Sequence, residues 1–118
     1  MLLIMRLIKA RPRVKVWIES EEGSIFGPGL YTILISIISQ GSISEACREL
    51  GISYRKAWSR IKLSEDRLGI SLLEKNRGGT SGGGSEITPV GKELLDRYES
   101  YLDEVQSHSQ KIYNKYFD

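Results

Sequence analysis

The sequence predicts a mainly α-helical domain with a small β hairpin and a long last helix. Apolar residues recur at helical spacing through four separate stretches, and a glycine-rich run over residues 78–84 is flanked by two short segments with strand character. The 118 residues, 40% of them hydrophobic, fit one globular domain with a modest core. We divide the chain into an N-terminal arm or edge strand (1–12), a helix-and-hairpin domain (13–88) and a terminal helix (89–118).

The opening run 1–10 is apolar but does not have the pattern of a membrane or export segment. Arg6 and Lys9 interrupt it, it is too short to span a bilayer, and no small-residue cleavage site follows. We therefore expect a cytoplasmic chain with no membrane partner. The single cysteine, Cys47, cannot form an intramolecular disulfide, and its place on an apolar helical stripe predicts a small buried hydrophobe.

The first elements of the domain are predicted to be a short hairpin and a helix. Residues 13–19 alternate in polarity, which indicates a half-buried strand, and a turn over 21–23 leads to a returning strand at Ile25 and Phe26. Gly27 and Gly29 break the pattern around Pro28, a residue suited to a first helical turn. The helix that begins there has a wide apolar face made of Leu30, Ile33, Leu34, Ile37 and Ile38, with Tyr31 and Ile35 extending it.

Residues 41–62 contain two short amphipathic helices separated by a glycine turn. Ser42 is predicted to cap the first helix, and Glu45 to complete a capping box with it. Gly51 supplies a left-handed residue that ends this helix, and Ser53 caps the next one. One stripe of the first helix is buried, formed by Ile43, Ala46, Cys47 and Leu50.

The second of these helices is predicted to be the helix that recognises DNA, the recognition helix. Lys56 stands where a capping-box glutamate would be, so the helix start stays positive. Residues 53–77 hold seven cations against three carboxylates, whereas residues 85–118 hold four against seven. A capped helix-turn-helix in a basic segment favours double-stranded DNA as partner, and its contact residues are Ser42, Ser53, Tyr54, Arg55, Lys56, Ser59, Arg60 and Lys62.

A hairpin with a glycine-rich tip follows the recognition helix, which is predicted to run to about residue 68. Residues 70–77 have strand character, and a short strand lies around Glu86 and Ile87. The run lacks the lysine-serine ending of a phosphate loop, and a disordered linker is the stronger alternative. Its place after a helix-turn-helix favours a wing, which predicts a winged helix-turn-helix with phosphate or minor-groove contacts from Lys75, Arg77, Thr80 and Ser81.

The last helix begins cleanly and carries a heptad seam. Thr88 is suited to cap it and Pro89 to be its first residue. A seam on so small a domain predicts pairing with a second copy, and His108 on it is interpreted as an interface residue since no other candidate metal ligand lies nearby. No metal, cofactor or catalytic residue is expected. The predicted dimer interface consists of Leu94, Tyr98, Tyr101, Leu102, Val105 and Ile112.

These residues resemble a known family over about residues 13–105. The strings FGPG (26–29), GSIS (41–44), GISYRKAW (51–58) and ITPVG (87–91) look like the DNA-binding domain of molybdate-responsive regulators of the ModE type, to which LysR-type regulators are related. The resemblance implies a winged helix that dimerises through its terminal helix, with Ser53, Tyr54, Arg55 and Lys56 at the DNA-facing start of the recognition helix. We interpret Trp58 as packing that helix against the wing.

The function that these observations favour is sequence-specific regulation of transcription by a DNA-binding homodimer. The resemblance implies a link to molybdate or other metal and oxyanion metabolism. Full-length members append a molybdate-binding module, whereas this sequence stops at Asp118, so we expect a stand-alone domain with an unknown effector. The alternative is a protein–protein interaction module without its own DNA specificity. An enzyme lacks an assembled nucleophile and base, and RNA binding lacks aromatic pairs on a sheet.

Overall fold

The computed structural model describes residues 2–75 and 84–118, and it confirms the predicted mainly helical class. Two antiparallel two-stranded sheets, β1–β2 and β3–β4, are embedded among five helices in these residues. The elements in chain order are α1 (Leu2–Ile8), β1 (Ile18–Ser20), β2 (Gly23–Phe26), α2 (Pro28–Gln40), α3 (Ile43–Leu50), α4 (Tyr54–Leu68), β3 (Leu73–Lys75), β4 (Ser85–Ile87) and α5 (Pro89–Phe117).

The chain divides into two compact units, which we describe separately. The helix-turn-helix unit comprises Trp17–Leu95, and the terminal unit comprises the N-terminal residues up to Val16 together with Asp96–Asp118. Helix α5 runs through the boundary between the two. Within the described residues no single helix has the length and apolar character needed to cross a bilayer, although α2 and α3, bent by 117°, meet that criterion as a pair.

The core of the helix-turn-helix unit forms around α2, as the sequence predicts for most of its face. Leu34 and Ile37 are fully buried, whereas Ile38 and Ile35 are 47% and 38% exposed, so the core covers only part of the wide apolar face. Ser36 turns inward in their place, because its hydroxyl donates to Glu49 Oε1 of α3 at 2.9 Å. The remaining buried apolar residues of this unit are Phe26, Leu30, Ile33, Ala46, Cys47, Ala57, Ile61, Leu72 and Leu95.

The corner between α3 and α4 is built by the predicted caps. Ser42 Oγ accepts from the Glu45 N–H and Ser53 Oγ accepts from the Lys56 N–H, each at 3.1 Å. Gly51 ends α3 with φ at 68°. The capping box is only half formed, because the Glu45 carboxylate pairs with Arg48 at 2.9 Å instead of reaching back to Ser42.

The first strand of each hairpin begins later than predicted. The strand expected over 13–19 begins only at Ile18, and the strand expected from residue 70 begins at Leu73. In β1–β2 Ile18 pairs with Phe26, and in β3–β4 Leu73 pairs with Ile87. Before β1, the Val14 N–H and the Val16 carbonyl bond to side chains of α5 and not to a neighbouring strand.

The terminal unit joins α5 to the N-terminal segment. The edge strand predicted within 1–12 is wrong, since Leu2–Ile8 form helix α1. From Leu7 to Val16 the backbone lies along α5, and we call these residues the strap. Tyr113 Oη donates to the Leu7 carbonyl, and Tyr98 Oη donates to the Val16 carbonyl at 2.8 Å. Between them Gln106 accepts from the Val14 N–H at 3.1 Å and donates to the Pro12 carbonyl at 2.9 Å.

Candidate nucleic-acid interface

Helix α4 is held in place by its inner face. Ala57 and Ile61 are 0% and 3% exposed, and Ser64 is anchored by a 2.6 Å bond from its hydroxyl to the Ile25 carbonyl. Side chains turn by about 100° per residue around a helix, so the stripe opposite these three begins at Arg55 and continues through Ser59. We call Arg55, Ser59 and Lys62, all of them exposed, the outer stripe, and exposed Asp66 follows on the same side near the end of the helix.

The start of α4 is suited to an anion. Ser53 Oγ satisfies the Lys56 N–H, while the N–H groups of Tyr54 and Arg55 lie in the first turn, where a helix offers them no backbone acceptor. No acidic residue lies in that turn, and the Tyr54 side chain is 52% exposed. The helix dipole and these donors favour a phosphate at this end, next to the predicted contact residues.

Trp58 lies at the flank of α4 and is about half exposed. Its side chain is 47% exposed, and Lys62 Nζ lies 6.0 Å from its ring centroid. The interpretation that Trp58 packs α4 against the wing stays a prediction, because residues 76–83 of the wing lie outside the described residues. Trp58 is one residue past buried Ala57, which places it at the flank of the helix. Tyr54, Trp58 and Lys62 follow one another at four-residue spacing along that flank.

Lys56 and Arg60 lie on the other flank of α4, away from Trp58. A Cβ built on Gly29 would approach Arg60 Nη1 to 2.2 Å, so the guanidinium lies directly against the start of α2 and a side chain there would displace it. Both cations line a groove of about 360 Å³ whose other lining residues include Ile33, Leu50 and Ile52. Arg60 thus lies beside the outer stripe and not on it.

The wing strands bring one predicted contact residue onto the surface. Lys75 is exposed at the end of β3, opposite Ser85 of β4. Thr88 fixes the base of this hairpin, because its hydroxyl donates to the Ser71 carbonyl at 2.6 Å and its N–H donates to the Leu72 carbonyl at 3.0 Å. The other predicted wing contacts, Arg77, Thr80 and Ser81, lie outside the described residues.

The hydroxyl of Ser42, another predicted contact residue, is already engaged at the start of α3. Its oxygen accepts the capping bond from the Glu45 N–H, so the O–H proton is the part of this side chain that can be donated to another acceptor. The side chain is half-buried. Of the predicted DNA contacts that the structure describes, those on α4 share one exposed helix, whereas Ser42 and Lys75 come from separate elements.

Glu65 is a residue of this region that the sequence analysis did not single out. Its Oε2 accepts from the Leu72 N–H at 2.7 Å and from the Leu73 N–H at 3.3 Å, and its Oε1 lies 3.7 Å from Lys62 Nζ. A carboxylate on a helix commonly faces solvent, which is why the pattern gave no warning. The available signal was its position one turn before Gly69, where α4 ends.

The seam predicted on α5 has one residue buried beside the strap and others that are exposed. Tyr98 is only 2% exposed within its own chain, so its assignment to the subunit interface is wrong. Tyr101 and Ile112 are 56% and 58% exposed, and the other predicted seam residues, Leu94, Leu102 and Val105, are half-buried. An open groove of about 610 Å³ runs along the exposed side, lined by Val14, Tyr101, Glu104, Val105, His108, Ser109 and Ile112.

Burial shifts the pKa of two ionisable side chains, Cys47 and Tyr98. Desolvation raises the pKa of the Cys47 thiol and that of the Tyr98 phenol, so both stay neutral over a wider pH range than in water. Cys47 Sγ is 3.7 Å from the Ser53 carbonyl, inside the helix-turn-helix corner. No group of three His, Cys, Asp or Glu side chains able to hold a metal ion occurs in the part of the chain that the structure describes.

The chain is similar to curated proteins that include a molybdenum-pterin-binding protein and a transcriptional regulator. It is 36% identical over 76 residues to the molybdenum-pterin-binding protein MopB of Rhodobacter capsulatus, which covers 64% of this chain and 28% of that protein. It is 30% identical over 95 residues to the transcriptional regulator ModE of Haemophilus influenzae, covering 80% and 37% respectively. The chain thus spans little more than a third of the length of these relatives at most.

Solved structures share the fold. The DNA complex of the CbnR DNA-binding domain superposes with a TM-score of 0.55 at 20% identity, over 70% of this chain and 90% of that one. Full-length LysG from Corynebacterium glutamicum superposes with a TM-score of 0.52 at 25% identity, over 70% and 27%.

The family that the sequence matches agrees with the similarity to curated proteins and to solved structures. Residues 30–92, from the first turns of α2 to the first turn of α5, match the bacterial regulatory helix-turn-helix proteins of the lysR family. This match covers more than half of the chain, and together with the ModE relatives it confirms the resemblance predicted from the sequence. The chain is therefore a member of the lysR family of bacterial regulatory helix-turn-helix proteins.

Proposed function

We propose that the chain is a cytoplasmic regulator of transcription that binds specific double-stranded DNA as a homodimer. The outer stripe of α4 carries this proposal, because it presents Arg55, Ser59 and Lys62 on a helix whose opposite face is buried. A single exposed α-helix fits the major groove of B-form DNA, which is about 12 Å wide. No described feature favours catalysis, and we infer a binding role.

The contact residues divide by chemistry into those that select bases and those that hold phosphates. Arg55 has the fork of donors that matches the O6 and N7 acceptors of guanine, and Ser59 one turn further can donate or accept. Tyr54, Lys56 and Ser53 surround the helix start and are suited to phosphate. Lys62 and Lys75 supply point charges, which strengthen binding without distinguishing bases.

The exposed side of α5 supports the second part of the proposal, pairing of two copies. Tyr101 and Ile112 expose more than half of their surface along a groove of about 610 Å³, which is an unfavourable apolar surface for a single chain in water. The same seam of a second copy supplies apolar side chains of matching spacing. A two-fold pair then presents two α4 helices to sites about 34 Å apart, which predicts a pseudo-palindromic operator.

The names of the relatives support the third part, a link to molybdenum. MopB is named a molybdenum-pterin-binding protein, the ModE proteins of Herbaspirillum seropedicae and Azotobacter vinelandii are named molybdenum transport proteins, and the chain covers about a quarter to a third of each. We propose that the regulated genes belong to molybdate or other oxyanion metabolism. Sequencing the fragments that the protein retains from its source genome tests this, and retention of fragments with no such genes nearby contradicts it.

The DNA-binding proposal is tested by a titration with salt. We expect a labelled duplex of about 40 base pairs, long enough for two half-sites, to bind at about 50 mM salt. Affinity is expected to fall by roughly a thousandfold between about 50 and 200 mM, since six or more phosphate contacts release counterions. Absence of binding at the lower salt concentration would contradict the proposal, and binding without preference for any selected sequence would favour a role without DNA specificity.

A further inference from the structure

Glu65 connects α4 to the wing through one carboxylate. Oxygen Oε2 accepts from two successive backbone N–H groups, those of Leu72 at 2.7 Å and Leu73 at 3.3 Å. The Leu72 side chain is fully buried, and Leu73 is the first residue of β3. Hydrogen bonds from backbone amides to a carboxylate are charge-assisted and stronger than bonds between neutral groups. The start of the wing is thus fixed to a helix that is itself anchored in the core.

The backbone of Glu65 takes part in the same junction. Its carbonyl accepts from the Gly69 N–H at 2.8 Å and from the Ile70 N–H at 3.3 Å, which closes the C-terminal end of α4. Four N–H groups within the five residues 69–73 therefore bond to this single residue. The path from α4 to β3 is short: on the α4 side these bonds converge on Glu65, and Thr88 bonds to the Ser71 and Leu72 carbonyls from the other side.

The position of Lys75 depends on that attachment. Lys75 lies two residues after Leu73 on the three-residue strand β3 and is exposed. On the other side of the carboxylate, Oε1 lies 3.7 Å from Lys62 Nζ on the outer stripe. The Glu65 side chain is 12% exposed and that of Lys62 is 46% exposed, so the carboxylate lies below the surface and the ammonium at it.

We propose that Glu65 is a positioning residue, which holds Lys75 of the wing at a fixed distance from the outer stripe of α4. The inference rests on the proposed function and adds to it the residue that aligns its two contact surfaces. Glu65 itself does not touch DNA, because its oxygens are turned to β3 and Lys62. Its negative charge opposes phosphate binding, so the geometry that it maintains has to outweigh that cost.

Two substitutions separate the reach of the side chain from its charge. Glu65→Gln keeps an oxygen at the same distance from the backbone and removes the charge, whereas Glu65→Asp keeps the charge and shortens the side chain by about 1.5 Å. We expect Glu65→Asp to bind a random-sequence duplex of about 40 base pairs roughly tenfold more weakly than wild type, and Glu65→Gln, which keeps the reach and loses only the charge assistance, to weaken binding by less than about threefold. Equal binding by Glu65→Asp and wild type, or a larger loss in Glu65→Gln than in Glu65→Asp, would overturn the proposal.

A double-mutant cycle distinguishes positioning from a general loss of structure. If Glu65 acts through Lys75, Glu65→Asp weakens binding by less than about twofold when Lys75→Ala is already present. Full additivity of the two substitutions would show that Glu65 acts elsewhere. Asp66→Asn, which removes a neighbouring carboxylate from the same helix, is the matched control and is not expected to weaken binding.

Hydrogen exchange tests the attachment without DNA. The Leu72 and Leu73 amides are expected to exchange at least about tenfold faster in Glu65→Asp and at an intermediate rate in Glu65→Gln, since opening of the junction exposes them and a neutral amide oxygen accepts weaker bonds. Unchanged exchange in Glu65→Asp would overturn the proposal. If wild-type protein binds no DNA at about 50 mM salt, the proposed function fails, and the exchange rates still decide whether Glu65 fixes the wing.

Discussion

Helices α4 and α5 both bury one face, but their exposed faces differ in chemistry. The outer stripe of α4 carries Arg55, Ser59 and Lys62, whereas the exposed side of α5 carries Tyr101 and Ile112, each more than half exposed. A polar, cationic surface is stable in water and attracts phosphate, while an apolar one gains free energy when a second apolar surface covers it. The exposed face of each of these amphipathic helices, more than its buried face, therefore indicates the kind of partner.

The largest expected effect distinguishes the buried face of α4 from the exposed face of α5. Ile61→Ala is expected to lower the free energy of unfolding by about 2–5 kcal/mol at every protein concentration, because Ile61 is 3% exposed. Ile112→Ala is expected to lower it only at concentrations where copies pair, since Ile112 is 58% exposed. Chemical denaturation at two protein concentrations measures both, and an Ile112→Ala effect independent of concentration would contradict the comparison.

The next effect concerns pairing. Tyr101→Glu places a charge on the apolar groove and is expected to dissociate the pair and weaken operator binding by about a hundredfold, because two linked half-sites no longer bind together. Ser107→Glu adds the same charge to an exposed position away from the groove and is the control. Sedimentation equilibrium gives the mass of each variant, and a dimer of Tyr101→Glu with wild-type affinity would show that α5 is not the interface.

Much of the helix-turn-helix unit could be predicted because its signals are local. Ser42, Gly51 and Ser53 act on backbone groups within four residues, so the sequence places these caps correctly. The strap could not be predicted, because its bonds join residues 82 to 106 positions apart and use single side chains such as Gln106 and Tyr98. The same holds for Glu65, whose partners are set by the direction of the chain after α4.

A smaller effect separates base selection from phosphate binding. Arg55→Ala is expected to cost about 1–3 kcal/mol with the selected operator and much less with a scrambled duplex. Lys75→Ala is expected to weaken both duplexes alike and to reduce the salt slope by about one contact, near 0.9. Titration of both duplexes at several salt concentrations measures this, and the reverse pattern would exchange the roles of the two residues.

The smallest effect concerns pH. Burial raises the pKa of Cys47 above the ordinary value of 9.0 and that of Tyr98 above 10.0, so the unfolded chain loses these protons before the folded chain does. Stability is therefore constant with respect to these groups below pH 9 and falls as the pH rises further. Denaturation of wild type and Cys47→Ala across this range measures the thiol contribution, and a wild-type stability that rises with alkali would contradict it.

The hydrogen bonds described between the strap and α5 use only main-chain groups of the strap. Tyr98, Gln106 and Tyr113 bond to carbonyl or N–H groups of Leu7, Pro12, Val14 and Val16, and these groups are common to almost every amino acid. Substitution of the intervening Arg11, Arg13 or Lys15 leaves those acceptors and donors in place. The charge of this edge of the molecule can therefore diverge among relatives, or be altered by design, while the N-terminal segment keeps its course.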